Sequence, residues 1–426
     1  MKSLYFICLF LSITTVSAQQ TYLHCGALLD TQTGQILSEK TIIVNGTAIM
    51  SIVDGYVEGS AADKVIDLKN KYILPGLIDM HVHIEGEFGP RTYMKRFSDN
   101  EADTAFESIV FAKRTLMAGF TTVRDLGGSG VNIALRKAIN KGQVIGPRIF
   151  TAGKALATTG GHADPTNGVN KKLIGDPGPK EGVVNSVDDA KKAVRQRYKN
   201  GADVIKITAT GGVLSVAKSG ENPQFTVEEI KAVVGTAKDY GFHVAAHAHG
   251  DEGMYRAVIG GVATIEHGTM MSNRTMEAMI ENQCYLIPTI SAGKQVAEKA
   301  KIPGFFPKVV ARKALEIGPL HQATIKKAYE NKVPMGFGTD AGVFPHGKNA
   351  IEFGYLLEAG IPVKESLRQA TVVNAKLLGM ESELGQLREG FLADIIAVDE
   401  NPLENVKVLE KVSFVMKDGE IYASPF

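Results

Sequence analysis

The chain has 426 residues, of which 44% are hydrophobic and 22% are charged. That length exceeds the usual size of one domain, so the chain can bury one large core and a second, smaller one. Its 47 basic and 46 acidic residues nearly cancel, which gives no electrostatic reason to expect nucleic acid or an anionic membrane surface as a partner.

The first eighteen residues have the pattern of a secretory signal. Lys2 supplies the positive start, residues 4–16 are apolar, and the small residues Ser17 and Ala18 precede the expected cleavage point. The apolar run is shorter than the roughly 20 residues that cross a bilayer, so we expect no membrane span in the mature chain. The sequence therefore predicts a secreted or periplasmic protein.

Short β-rich runs occur near both ends of the mature chain. Runs at residues 41–44, 48–53 and 64–68 are separated by turn signals such as Asn45-Gly46, and runs at residues 393–398 and 412–416 repeat the pattern. We expect residues 19–70 and 381–426 to form one composite β-sandwich domain. Cys25 and Cys284 fall in different predicted domains, so no disulfide is expected between them.

Residues 71–380 alternate between strand and helix patterns. The predicted strands are residues 72–84, 121–126, 148–155, 204–208, 243–248, 264–267, 285–289 and 334–339, and the helical patterns include residues 102–117, 187–198, 227–240 and 309–329. Eight such alternations favour an α/β fold of the (β/α)8 TIM barrel type. A doubly wound open sheet is the alternative, but no G-x-G-x-x-G motif follows the first strand.

Six residues near the ends of these strands could together form a metal site. They are His81, His83, Lys206, His247, His267 and Asp340. The carboxyl ends of the strands of a closed parallel barrel meet at one rim, which would gather all six residues there. Taken singly, each histidine is more often a hydrogen-bonded structural residue, and Lys206 would pair with a carboxylate. Carboxylation of the Lys206 amine by CO₂ would instead give an anionic carbamate able to bridge two cations.

The order of the motifs resembles the metal-dependent amidohydrolase superfamily, in particular its imidazolonepropionase-like and Xaa-Pro dipeptidase-like branch. The resemblance covers about residues 22–420. Its motifs are LPGLIDMHVH at residues 74–83, TTVRDLG at 121–127, IKITATGG at 205–212, AHAHG at 246–250, IEHG at 265–268 and GTD at 338–340.

This resemblance implies a centre with two divalent metal ions, usually Zn²⁺. His81, His83 and Asp340 match the ligands of one ion, His247 and His267 match those of the other, and Lys206 matches the carboxylated bridge. Imidazolonepropionases have a mononuclear site without the bridging lysine, so Lys206 favours the peptidase-like branch.

Asp340 is the predicted catalytic residue, because a carboxylate there could take a proton from metal-activated water and pass it to the leaving amine. Four further residues are predicted to contact substrate: His162, His249, Tyr255 and His346. Each also has a structural interpretation, such as a solvated loop residue for His346 or helix packing for Tyr255. The glycine-, serine- and proline-rich residues 213–224 are either a lid or a surface loop.

Three functions remain open on the sequence. The first is an exported amidohydrolase that cleaves dipeptides or N-acyl amino acids, with a reach that could include prolidase substrates or ochratoxin. The second is a hydrolase of cyclic amides or lactones. The third is a non-catalytic scaffold, against which the retention of all six ligand positions argues. A small-molecule substrate is the expected partner, and a homo-oligomer is compatible with the sequence.

Overall fold

The structure, a computed structural model, describes residues 19–424. The predicted signal sequence, residues 1–18, lies outside the described residues. Within residues 19–424, no helix combines the length and apolarity that crossing a membrane requires. Cys25 and Cys284 are both buried free thiols.

Strands from the two chain ends form one seven-stranded sheet. Its strands are β1 (Gln20–Leu29), β2 (Ile36–Asn45), β3 (Ala48–Asp54), β4 (Lys64–Pro75), β12 (Ile395–Val398), β13 (Phe414–Lys417) and β14 (Glu420–Ala423). The strand order is β14-β13-β12-β4-β1-β2-β3. Strand β4 is parallel to β1 and antiparallel to β12, so it joins the N-terminal and C-terminal parts.

The expected assembly from both chain ends is therefore present, with one correction. The sequence predicted a sandwich, and the hydrogen bonds instead run through one continuous sheet because β4 pairs on both of its edges. The sheet has a hydrophobic cluster of its own, to which both ends contribute, for example Leu23, Ile42, Ile395 and Phe414.

The middle of the chain supplies parallel strands. One three-stranded sheet contains β5 (Leu77–Val82), β6 (Phe120–Asp125) and β7 (Arg148–Thr151), and a four-stranded sheet contains β8 (Ile205–Thr208), β9 (Val244–Ala248), β10 (Thr264–His267) and β11 (Tyr285–Ile287). Every residue of β5, β6, β8, β9 and β10 is buried, as expected for parallel strands covered on both faces.

Isolated parallel bridges connect these sheets. Leu156 pairs with Ile207 of β8, Leu286 of β11 pairs with Met335, and Ala341 pairs with Val82 of β5. The predicted eighth strand, residues 334–339, is not a regular strand, because Pro334 lacks an amide hydrogen and Gly336 and Gly338 carry no side chains to pack. The segment nevertheless hydrogen-bonds to both of its neighbours.

The predicted first strand, residues 72–84, is divided at Gly76. Its first part belongs to β4 in the terminal sheet, and its second part is β5. A Cβ atom at Gly76 would lie 2.2 Å from Oγ1 of Thr121, so only glycine allows the chain to pass so close to β6. This glycine marks the passage from one sheet to the other.

Helices follow most of the parallel strands. They are α1 (Thr92–Ser98), α2 (Glu101–Met117), α3 (Val131–Asn140), α4 (Lys171–Ile174), α5 (Val187–Asn200), α6 (Val227–Asp239), α7 (Asp251–Ile259), α8 (Asn273–Glu281), α9 (Ile290–Ala300), α10 (Lys308–Ile317), α11 (His321–Glu330), α12 (Ile351–Glu358), α13 (Val363–Arg368) and α14 (Asn374–Leu377). The single helix predicted at residues 309–329 is two helices joined by a 3-10 turn at Gly318–Leu320, where Pro319 interrupts the hydrogen-bond ladder.

Candidate metal centre and pocket

All six predicted ligand residues line one pocket of about 700 Å³. Four of them lie within strands, at His81 of β5, Lys206 of β8, His247 of β9 and His267 of β10. The other two, His83 and Asp340, follow directly after the strand or segment that carries them. The structure thus brings together residues that are up to 259 positions apart.

The shortest distances in the group centre on Asp340. Its Oδ1 atom lies 3.4 Å from Nε2 of His81 and 3.3 Å from Nε2 of His83. Ligand atoms of His81, His267 and Asp340 all lie within 4.8 Å of one another, a spacing that could hold a metal ion. The His247 ring is 4.7 Å from the His267 ring, centroid to centroid, so it adjoins the same group.

Hydrogen bonds fix which ring nitrogen of each histidine is free. Nδ1 of His83 is 2.9 Å from the carbonyl oxygen of Gly127, and Nε2 of His247 is 3.1 Å from that of Gly211. Because a carbonyl oxygen only accepts, these nitrogens carry the hydrogen, and the opposite nitrogen of a neutral ring keeps its lone pair. Nδ1 of His81 lies 3.0 Å from Oε2 of Glu266, within ion-pair distance but without the geometry of a hydrogen bond.

The same arrangement leaves Asp340 Oδ1 without a donor. This buried oxygen has no hydrogen-bond partner among the described residues. The nitrogens that face it, Nε2 of His81 and Nε2 of His83, present lone pairs when the rings are neutral. Lone pairs and a carboxylate that converge in a buried site can be satisfied by a cation, so the donor set fits a divalent metal ion.

The backbone is strained at three points around this group. His267, Thr289 and Asp340 have φ angles of 74°, 58° and 61°, in the left-handed region that side-chain-bearing residues rarely adopt. The conformation of Thr289 places its Oγ1 2.7 Å from Nδ1 of His267. Such conformations typically cost about 1–3 kcal/mol each and cluster at functional sites.

Burial keeps the imidazoles of His81, His247 and His267 neutral near pH 7. It lowers the pKa of His81 to about 4, with the Lys206 charge as the next cause. The pKa values of His247 and His267 also lie well below the usual range, through burial and then through the histidines beside them. Burial acts in the same direction on His83, but the Asp340 carboxylate, 3.3 Å from its Nε2, outweighs it and raises that pKa.

Lys206 is buried in the floor of the pocket, with 4% of its surface exposed. Burial lowers the pKa of its amine to about 8, although the carboxylates of Glu266 and Asp340 oppose the shift. Among residues 19–424, no carboxylate forms an ion pair with this amine within 4.0 Å. A buried lysine without a paired carboxylate is unusual, because burying an unpaired charge is costly.

The four predicted substrate contacts separate into two pairs. His162 and His249 line the pocket. The His162 ring stacks on His247 with centroids 4.4 Å apart, and a Cβ atom at Gly212 would lie 2.2 Å from that ring, so the ring needs a glycine opposite it. Nδ1 of His249 is held 2.8 Å from Oγ1 of Thr269.

Tyr255 and His346 are not brought into the pocket. Tyr255 lies on α7, and the guanidinium of Arg274 lies over its ring, 4.0 Å from the ring centroid. His346 is buried behind the pocket, and its Nε2 is 3.1 Å from the carbonyl oxygens of both His83 and Gly86. In the structure these two residues make packing and loop contacts outside the pocket lining, and their contact with substrate stays a prediction.

Sequence reasoning missed the residues that support the ligands. Glu266, fully buried on β10, faces His81 and pairs with Arg124 at 2.8 Å. Asp79 accepts hydrogen bonds from Thr339 and thereby ties β5 to the segment that carries Asp340. A carboxylate in an otherwise apolar buried strand was a usable signal for both. The carbonyl acceptors of Gly127 and Gly211 have no sequence signal.

Known proteins resemble this chain at three levels, namely a family profile, individual sequences and solved structures. The profile of the Amidohydrolase family matches residues 72–422. Ochratoxinase of Aspergillus niger is 29% identical over 441 aligned residues, which cover 97% of this chain and 88% of that protein. A Xaa-Pro dipeptidase solved with methionine bound in its active site is 51% identical, with a TM-score of 0.93 and coverage of 95% of this chain and 100% of that chain.

A second solved structure is a prolidase in complex with N-methylphosphonate-L-proline. It is 30% identical, with a TM-score of 0.87, and the alignment covers 95% of this chain and 100% of that chain. These similarities extend over both the terminal sheet and the parallel strands.

Proposed function

Because this chain belongs to the amidohydrolase family of hydrolases, we propose that it is an exported enzyme with two divalent metal ions that cleaves amide bonds of dipeptides or N-acyl amino acids. The observation that carries the proposal is the donorless oxygen of Asp340, which lies 3.4 Å from Nε2 of His81 and 3.3 Å from Nε2 of His83 in a pocket. A group of this composition has a metal ion as its natural occupant.

The proposed scaffold is a closed (β/α)8 barrel. The two parallel sheets are linked by the bridges at Leu156, Met335 and Ala341, which would close the ring from β5 through β11 and back to β5. Closure would place every ligand residue at the carboxyl-terminal rim, where enzymes of this architecture have their sites.

We assign His81, His83 and Asp340 to one ion, His247 and His267 to the other, and a carboxylated Lys206 to the bridge. Ligand atoms of His81, His267 and Asp340 lie within 4.8 Å of one another, so members of the two assigned sets are neighbours in the pocket. The lowered pKa of Lys206 leaves part of the amine unprotonated at neutral pH, the form that can add to CO₂. Zn²⁺, when bound, would supply Lewis acidity and acidify water near neutral pH.

Asp340 is the proposed proton carrier. Burial would raise its pKa, but His81, His83 and Lys206 outweigh that effect and hold the pKa below its usual value. The carboxylate is therefore ionised at neutral pH and can accept a proton. Its position is fixed, because its backbone N–H donates to the carbonyl of His81 at 2.7 Å. His162, whose ring is 4.4 Å from that of His247, and His249, whose ring is 5.0 Å from that of His267, would bind or orient the substrate beside the candidate ligands.

The pocket size and walls suit a small substrate with apolar parts. A volume of about 700 Å³ is in the range that binds small molecules, and apolar side chains such as Phe88, Val213, Leu214 and Val343 form part of its lining. The Xaa-Pro dipeptidase with bound methionine supports a dipeptide substrate, and the ochratoxinase supports an N-acyl amino acid such as ochratoxin as a second candidate.

A substrate panel tests the proposal. Dipeptides with varied C-terminal residues, N-acyl amino acids and ochratoxin should be hydrolysed by the zinc-loaded enzyme. Hydantoins and lactones should be poor substrates. Preference for the cyclic compounds would instead favour the imidazolonepropionase-like alternative, and a protein with neither turnover nor stoichiometric metal would be a scaffold.

Export is proposed from the N-terminal segment alone. Expression of the full chain in a Gram-negative host, followed by fractionation, should place a mature protein beginning at Gln19 in the periplasm or medium. An intact Met1 start in the cytoplasm would contradict this.

A further inference from the structure

A buried lysine contacts the loop that forms one wall of the pocket. Lys313, on α10, is 1% exposed, and its ammonium donates to the carbonyls of Gly212 at 2.6 Å, Ser215 at 2.7 Å and Ala217 at 2.9 Å. These three bonds use all three donors of the ammonium. No carboxylate forms an ion pair with Lys313 among residues 19–424, so the loop carbonyls solvate the charge.

The opposite side of the same loop faces the pocket. Val213, Leu214 and Val216 line the cavity and pack with apolar residues of α9 and α10. The carbonyl of Leu214 accepts a hydrogen bond from the hydroxyl of Tyr93 on α1 at 2.8 Å. The loop is therefore tied to α10 and to α1 through its backbone while its side chains form the wall.

The hydrogen bonds between Lys313 and the loop begin next to the candidate metal centre. The carbonyl of Gly211 accepts from His247, and Gly212, the next residue, lies against the ring of His162. The carbonyl of Gly212 is also the nearest acceptor of Lys313. A contact at this position fixes the end of the loop that adjoins two residues of the candidate site.

We propose that Lys313 is a positioning residue that holds residues 211–218 as a fixed wall of the substrate pocket, so that this loop does not open as a lid during turnover. The effect on substrate rests on the proposed function, whereas the fixing of the loop does not. Opening the loop would remove three hydrogen bonds from a buried charge, and hydrogen bonds to charged groups are about twice as strong as neutral ones.

The protonation state agrees with this role. Burial, followed by the charge of Arg312, lowers the pKa of Lys313 to about 8, so the amine is mainly protonated at pH 7. The other charged or titratable groups that act across this region are the imidazoles of His162 and His249, both of which burial keeps neutral.

The test uses Lys313→Met in the zinc-loaded, full-length protein. Trypsin cleavage after Lys218, an exposed residue of the loop, is followed by mass spectrometry of the fragment that begins at Ser219. We expect cleavage to accelerate at least tenfold. KM for the best dipeptide should rise about tenfold while kcat and metal content stay within twofold, because the wall is loosened and the metal centre is not. Lys308→Met, an exposed position on the same helix, should match the wild type in all measurements.

Unchanged cleavage after Lys218 together with an unchanged KM in Lys313→Met would overturn the proposal. If that variant does not fold, Lys313→Gln decides, because its amide can donate two neutral hydrogen bonds where the ammonium donates three charge-assisted ones. It should raise KM and loop cleavage about threefold, and wild-type values would overturn the proposal. If the wild type cleaves no dipeptide, the proposed function fails, while the trypsin measurement still decides whether Lys313 fixes the loop.

Discussion

Asp340 combines strained backbone, a buried charge and the predicted proton transfer in one residue. Its φ of 61° aims the carboxylate at the imidazoles of His81 and His83 rather than along the segment. Asp tolerates this backbone region better than most residues, because its short polar side chain can bond locally. The residue type is therefore suited both to the turn and to the chemistry.

Replacing this carboxylate by its amide is the first prediction. Asp340→Asn should lower kcat by about 10²–10⁴-fold, the usual contribution of a positioned proton carrier, because the amide cannot take a proton. Most of the bound metal should remain, since the histidines are unchanged. Steady-state kinetics and metal analysis measure both. Asp239→Asn, at an exposed position on α6, is the matched control. Near-normal turnover in Asp340→Asn would remove Asp340 from the proton role.

The second prediction concerns the bridge. Lys206→Ala should abolish most activity and reduce metal content below two ions per chain, because no carbamate can form. Millimolar acetate or propionate should restore part of the activity by supplying a carboxylate in the vacated space. Full metal content with wild-type turnover would show that Lys206 is a structural residue.

The third prediction addresses the partner of His81. Glu266→Gln should weaken metal binding about 10–100-fold, because residues that orient metal ligands typically contribute that much. It should also destabilise the fold by about 3 kcal/mol or more, since Arg124 would be left buried without its carboxylate. Metal titration and denaturant unfolding separate the effects. Unchanged metal affinity would mean that the contact between Glu266 and His81 does not orient the ligand.

Residues of the candidate site were found from sequence where their position at a strand end was visible. His81, His83, His247, His267 and Asp340 each follow an apolar run, so the pattern that predicts the strand also marks its end. Tyr255 and His346 lie outside the pocket lining, because closeness in sequence to a pocket residue does not determine which way a side chain turns. The supporting roles of Thr289 and Gly211 depend on backbone angles that the sequence does not encode locally.

At the scale of elements, α9 connects a buried acid to the site. Glu352 of α12 accepts hydrogen bonds from the N–H groups of Ile290 at 2.8 Å and Ser291 at 2.7 Å, at the start of α9. The preceding residue is Thr289, whose hydroxyl contacts His267. A carboxyl at this helix end fixes the turn that holds a candidate ligand.

The fourth prediction is a pH dependence of stability. Burial, with a further contribution from Asp79, raises the pKa of Glu352 from 4.5 to about 7. Between these values the folded chain holds the proton more tightly than the unfolded chain, so this group reduces stability as the pH rises through that window. The effect is on the order of 3 kcal/mol at most, at about 1.36 kcal/mol per pKa unit.

The Gln side chain in Glu352→Gln has no proton to lose. The free energy of unfolding of the wild type should therefore fall relative to that of the variant between pH 5 and pH 7. Denaturant unfolding at several pH values measures it, and Glu330→Gln, an exposed change on α11, is the control. A constant difference across the window would contradict the raised pKa.

Helices and strands with a clear hydrophobic periodicity were predicted with ends close to those in the structure. The strand at residues 264–267 coincides with β10, and the helix at 102–117 differs from α2 by one residue. The failures occur at glycine and proline. Gly76 divides a continuous apolar run between two sheets, and the Gly318-Pro319 pair breaks an amphipathic pattern whose period continues beyond it.

At the scale of the whole molecule, the sequence predicted an α/β fold in which strands from both chain ends form one β domain. The structure confirms the α/β fold and shows that the two ends join in a single sheet. The pairing of β4 with β12 joins strands more than 300 residues apart, and no local pattern specifies such a partner. Short apolar runs show that strands exist, whereas the choice between one sheet and two depends on edge pairing. The domain limits at residues 70 and 381 stay a prediction.

Anomalous X-ray scattering at the zinc edge, from crystals of the zinc-loaded protein, tests the metal centre most directly. Two peaks should appear in the pocket, one beside His81, His83 and Asp340 and the other beside His247 and His267, with density for a carboxylated Lys206 between them. A pocket without any peak after soaking in excess zinc would contradict the proposed centre and the hydrolytic function built on it.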